Sequence, residues 1–90
     1  MVSIIENWAS IEGVIISLYE NPDLQGFYII ELDLQRSEDE GGFPNLAKAD
    51  EGKIIRINIR QEQLETMNIK PGDPLRATVR KAFGQVYFIR

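Results

Sequence analysis

Lys53 to Gln61 reads KIIRINIRQ, and its strict alternation constrains the fold more than any other stretch of the chain. Side chains along a strand point to opposite faces in turn, so Ile55, Ile57 and Ile59 share one face and Arg56, Asn58 and Arg60 share the other. A helix would scatter those isoleucines around its circumference. β-Branched residues in this register predict a pleated strand with an apolar interior on one side. A lone strand cannot shelter such a face from water, so the rest of the chain must supply partners.

Four further segments do so. Ser10 to Tyr19 (SIEGVIISLY) is rich in β-branched residues, and Gly13 within it predicts a bulge or a close backbone approach. Gly26 to Arg36 places Tyr28, Ile30, Leu32 and Leu34 on one side and Phe27, Ile29, Glu31, Asp33 and Gln35 on the other. Leu75 to Lys81 turns Leu75, Ala77 and Val79 inward and Arg76, Thr78 and Arg80 outward. Val86 to Arg90 is a last strand, with Phe88 expected in the core alongside Val86.

The connections have their own chemistry. Glu20-Asn21-Pro22-Asp23 is a turn, and Ala82-Phe83-Gly84-Gln85 is a short hairpin connection. Gln61 to Ile69 carries Leu64 and Met67 at helical spacing, which predicts one or two turns of helix. Pro71 and Gly72 then stop it in the order a type II turn prefers. Ser37 to Gly52 has no period and is rich in acids, so a long solvated loop is expected, with Phe43 and Leu46 pinning it to the body. Ser3 and Glu6 have the spacing of a capping box.

Ninety residues suffice for one domain, spanning 1–90, without repeat or linker. There is no cysteine and no histidine, which removes disulfides, thiolate nucleophiles, the usual zinc ligand and the usual neutral-pH base. No Gly-rich phosphate loop or nucleophile–base pair appears, so the reading is non-enzymatic, with no metal and no cofactor. No apolar run reaches the roughly 18 residues of a membrane span, and no leader is present, so a cytoplasmic location is expected.

Strand, strand, strand, short helix, strand, strand is an all-β order. It resembles the OB fold, which implies a five-stranded Greek-key barrel with a short helix between the third and fourth strands. A narrower resemblance joins Ile11-Glu12-Gly13-Val14-Ile15 and the run from Ile69 to Val79 to the TOBE-type domains of molybdate proteins. It implies small-oxyanion binding with Arg80 or Lys81 in the basic position, although Asn58-Ile59-Arg60-Gln61 offers none of the hydroxyls such sites use.

The net charge of -4 is unevenly spread: residues 1–50 hold ten acids and two bases, residues 51–90 eight bases and four acids. The outward row Arg56, Asn58, Arg60, Arg76 and Arg80, with Tyr19, Phe27 and Phe83 as stacking surfaces, is a candidate face for single-stranded nucleic acid. The competing expectation is that Glu31 and Asp33 pair across the sheet with Arg56 and Arg60 and neutralise that face. The leading expectation is a protein-interaction module, using the acidic 37–52 loop and an exposed strand edge, with a protein partner or self-association. Nucleic acid and a small oxyanion are the alternatives.

Overall fold

The structure, a computed structural model, describes residues 6–82 and 86–90. It contains β1 (Ala9–Glu20), β2 (Phe27–Asp39), a 3-10 turn (Lys48–Asp50), β3 (Ile54–Arg60), α1 (Gln61–Met67), β4 (Pro74–Lys81) and β5 (Val86–Ile89). The expected turn over residues 3–6 falls largely outside the described residues, and so does Phe83.

The strands close into a barrel in the order β1-β2-β3-β5-β4, with β1 returning to β4, an arrangement compatible with an OB-like fold. All neighbours are antiparallel except β3 and β5. The reason for closure lies in the side chains. Ile11, Ile15, Ile30, Leu32, Leu34, Ile57 and Ile59 are all at most 1% exposed, because the inward apolar positions of β1, β2 and β3 meet inside the barrel. Ile55 and Leu75 complete the interior, and Leu64, Met67 and Ile69 of the helix segment pack against it from one end.

The bulge expected at Gly13 is present, since the β1–β2 register shifts between Glu12 and Gly13. A Cβ at Gly13 would lie 2.2 Å from the carbonyl oxygen of Asp33 and 2.9 Å from Leu32 Cγ. Only glycine lets the two strands approach that closely. A second shift between Ile15 and Ser17 leaves Ile16 half-exposed outside the barrel. Helix α1 ends on Asn68 in the left-handed region (φ 53°), and Gly72 has the positive φ (93°) that a type II turn needs.

Two expectations about burial are corrected. On β5 the buried residue is Tyr87, 1% exposed, while Phe88 is only partly buried. The four residues Val-Tyr-Phe-Ile are apolar at every position, so the segment has no phase of its own. Its phase comes from β3: Tyr87 stands opposite Ile57, which points inward, and Phe88 opposite Asn58, which points outward. The 37–52 segment is a solvated loop only in part: most of it beyond Asp39 is irregular and exposed, but its two ends are tied into the body. Strand β2 continues to Asp39, and Ser37, Ala47 and Asp50 are buried, whereas Phe43 and Leu46 stay exposed.

Candidate functional site

Cross-strand registers define what lies side by side on the outer surface. One row runs Tyr19, Ile29, Asn58, Phe88, Arg80 over β1, β2, β3, β5 and β4. A second runs Ser17, Glu31, Arg56, Val86, and Phe27 faces Arg60 beyond the first. Above these rows lies a groove of about 430 Å³, with Leu24, Ile29, Arg56, Asn58, Val86 and Phe88 among its lining.

The aromatic and cationic groups of this face form a ladder. The Phe27 and Phe88 rings meet edge to face, with centroids 6.1 Å apart and planes at 85°. The Arg60 guanidinium lies 5.9 Å from the Phe27 centroid and that of Arg80 lies 5.8 Å from the Phe88 centroid, both within cation–π range. Neither Arg60 nor Arg80 has a carboxylate partner among the described residues. Arg56 does: its Nε lies 3.6 Å from Glu31, whose other oxygen accepts a hydrogen bond from Ser17 Oγ. The expected pairing of the face with Glu31 and Asp33 is therefore half realised. Glu31 meets Arg56, but Asp33 stands opposite Ile54 and Arg60 stands opposite Phe27.

Asn58 was expected to be an exposed member of the row, and it is instead 4% exposed. Its Oδ1 accepts a hydrogen bond from Asn21 Nδ2 at 2.7 Å, and its Nδ2 donates to the Tyr87 carbonyl at 3.4 Å. The Asn21 side-chain oxygen in turn accepts from the backbone N–H of Asp23. The β1–β2 connection is thereby anchored over the groove floor and covers Asn58, so the outward direction that strand alternation gives it does not leave it exposed.

Arg76 lies elsewhere. Glu12 is flanked on β2 by Arg36 and on β4 by Arg76, and both guanidinia reach the same carboxylate oxygen at 2.9 Å. Burial alone would raise the Glu12 carboxyl, yet the two cations hold it below its ordinary range.

Arg80 and Lys81, the alternatives for the basic position of an anion site, stand in different surroundings. Adjacent strand residues point to opposite faces, so Arg80 is exposed while the Lys81 ammonium lies 2.9 Å from Asp50. Asp50 Oδ2 also accepts a hydrogen bond from the Tyr87 hydroxyl at 2.5 Å, and Lys53 reaches its other oxygen at 3.8 Å. Burial pushes the Asp50 carboxyl upward, but the bonds from Tyr87 and Lys81 outweigh it and leave it below its ordinary value. Burial, and then the bond to Asp50, raise the Tyr87 hydroxyl. Glu51 accepts from the backbone N–H of Ser37 at 2.7 Å and is lowered by that bond first. Asn7 clamps the backbone of Lys81 with one bond in each direction.

Tyr19, Phe27, Arg56, Arg60 and Arg80 thus belong to one continuous stretch of outer surface with Asn58 buried beneath it, and Arg76 and Lys81 do not. Phe88 and Asn21 are members that strand alternation alone leaves out, while Ile29 shares the outward phase of Phe27. Among the described residues, no cluster of acidic side chains has the arrangement to hold a metal ion. No helix there is long and apolar enough to cross a membrane.

The chain matches no known family. No curated protein and no solved structure matches it either. The reading of the site therefore rests on its own chemistry. What that chemistry offers is apolar and aromatic surface beside guanidinium groups.

Proposed function

We propose that this chain is a non-catalytic binding module, an OB-like barrel that holds single-stranded nucleic acid across the outer face of β2, β3 and β5. The observation that carries the reading is the Arg60–Phe27–Phe88–Arg80 ladder, whose two arginines lack carboxylate partners. In OB barrels the face of the second and third strands, bordered by the first and last loops, is where oligonucleotides bind. The groove borders the β1–β2 connection through Leu24 and reaches Ala82 at the end of β4.

Bases stack on aromatic rings and on guanidinium planes, while the guanidinium edges take phosphate oxygens. Stacking contributes roughly 1–3 kcal/mol per base, so two rings supply on the order of 2–6 kcal/mol. That alone corresponds to an affinity no tighter than tens of micromolar. The net charge of -4 opposes phosphates at long range, and Arg56 is already neutralised by Glu31. A weak, salt-sensitive binder is the expected result.

Fluorescence anisotropy with labelled single strands of about 12 nucleotides, a length within one OB site, tests this. Saturable binding at low salt that weakens with added salt and about tenfold on Phe88→Ala supports it. A flat titration at low salt overturns it. The second reading, a protein partner, is favoured by the apolar floor of Leu24, Ile29 and Val86 and by the overall negative charge. It predicts that Phe88→Ala abolishes partner capture while nucleic acid never competes.

A further inference from the structure

Barrel closure leaves one gap. Strand β1 pairs with β2 along its whole length, but with β4 only from Ala9 to Val14. The next residue, Ile15, donates to the Asp73 carbonyl and accepts from the Gly72 N–H. Beyond it, residues 16–20 have no backbone partner among the described residues on the side away from β2. This stretch also has none of the lysine or proline guards with which exposed edges are normally protected.

The direction of its backbone groups follows from the hairpin. Asn21 N–H donates to the Phe27 carbonyl, so position 21 faces β2. Alternation along an antiparallel ladder then turns Tyr19 and Ser17 toward β2 and turns Leu18 and Glu20 outward. Two residues with outward-facing N–H and C=O groups, spaced two apart, form a self-complementary unit. When a second copy approaches antiparallel, Leu18 of each copy meets Glu20 of the other, and Tyr19 faces Tyr19 across the axis.

We propose that this chain forms a two-fold dimer by edge-to-edge pairing of residues 16–20 of β1. The occupant must be a strand, because only another extended backbone repeats donors and acceptors at this spacing. It is a second copy because the outward groups match their own image about Tyr19 and bring no like charges opposite each other. Tyr19 is 37% exposed and Ile16 48%, so each copy contributes apolar surface beside the paired backbones. Leu18, partly buried against the core, sets the strand's orientation. The dimer joins the outer rows of the two barrels, Asn58–Ile29–Tyr19, into one continuous sheet surface. The pairing does not depend on which ligand that surface takes.

Sedimentation velocity on the full chain, from about 10 µM to about 1 mM, spans the range in which so small a contact responds. The wild type is expected to rise from 10.3 kDa toward twice that mass, and to do so more readily in high salt, which screens the -4 charge of each copy. Glu20→Pro removes an outward N–H at an exposed edge position and is expected to keep the protein monomeric. Tyr19→Lys, which sets two ammonium groups face to face, is expected to weaken association at least about tenfold. If Glu20→Pro disturbs the circular dichroism of the fold, the Tyr19→Lys result decides. A wild type that stays monomeric at about 1 mM in both low and high salt overturns the proposal, as does a dimer that Tyr19→Lys leaves intact.

Discussion

Two parts of this barrel handle charge in opposite ways. At the end covered by residues 37–53, the buried polar groups among the described residues are matched: Asp50 with Lys81 and Tyr87, Ser37 with Glu51, Asn7 with the backbone of Lys81. On the outer face of β2, β3 and β5, Arg60 and Arg80 rest on rings instead of carboxylates. The first arrangement holds the fold together because desolvated charge demands a partner. The second leaves cations at the surface whose remaining donors face solvent. Strand β4 contains both outcomes one residue apart, because adjacent side chains point to opposite faces: Arg80 meets Phe88 of β5 and Lys81 meets Asp50 of the 3-10 turn.

The comparison is tested most severely by Asp50→Ala. It leaves the Lys81 ammonium and the Tyr87 hydroxyl without their acceptor in a nearly closed site. A loss of about 2–3 kcal/mol is expected, toward the low end of the range for broken buried pairs because Asp50 also faces the exposed Lys53. Chemical denaturation measures it, and an unchanged midpoint would mean the barrel end is not held this way. Phe88→Ala reverses the pattern, costing about 1–3 kcal/mol of nucleic-acid affinity as the stacking surface goes. Its melting temperature should fall much less than that of the Asp50 variant.

Acid titration separates the regions further. Asp50 and Glu51 have folded-state pKa values below their ordinary 3.8 and 4.5, so the stability they contribute is complete above those values. It is lost as pH falls through the lower folded values. Tyr87 is raised above its ordinary 10.0, so its contribution is complete below that pH and declines as pH rises beyond it. Urea midpoints measured against pH should show both limbs, and Asp50→Asn should shrink the acid one. The smallest effect is that of Arg80→Gln, expected to reduce the slope of log affinity against log salt by about one with little change in fold stability.

Much of the architecture was legible in advance for a simple reason. Ile55, Ile57 and Ile59, and likewise Ile30, Leu32 and Leu34, alternate with polar residues, so only one face can be buried. The Gly13 bulge, the helix between the third and fourth strands, and the turn at Pro71-Gly72 also came through, because each depends on local backbone preference. The candidate face was legible in part. Phe27, Arg56, Arg60 and Arg80 follow from strand phase. Tyr19 follows only from its place as an aromatic at a strand end, since β1 shifts register before it. Phe88 does not follow, since its strand is apolar on both sides and takes its phase from β3.

What the amino-acid order determined alone is which residues turn inward on the alternating strands and where the chain bends, since period and turn chemistry act over a few residues. Tertiary structure decided which carboxylates became structural and which arginines stayed unpaired. Asp50 is a loop acid until Tyr87 and Lys81, more than thirty positions away, close around it. Arg60 escapes neutralisation because the β2–β3 register sets Phe27 opposite it, with Asp33 aligned to Ile54. Such outcomes depend on pairing between distant strands, and local sequence carries no record of that register.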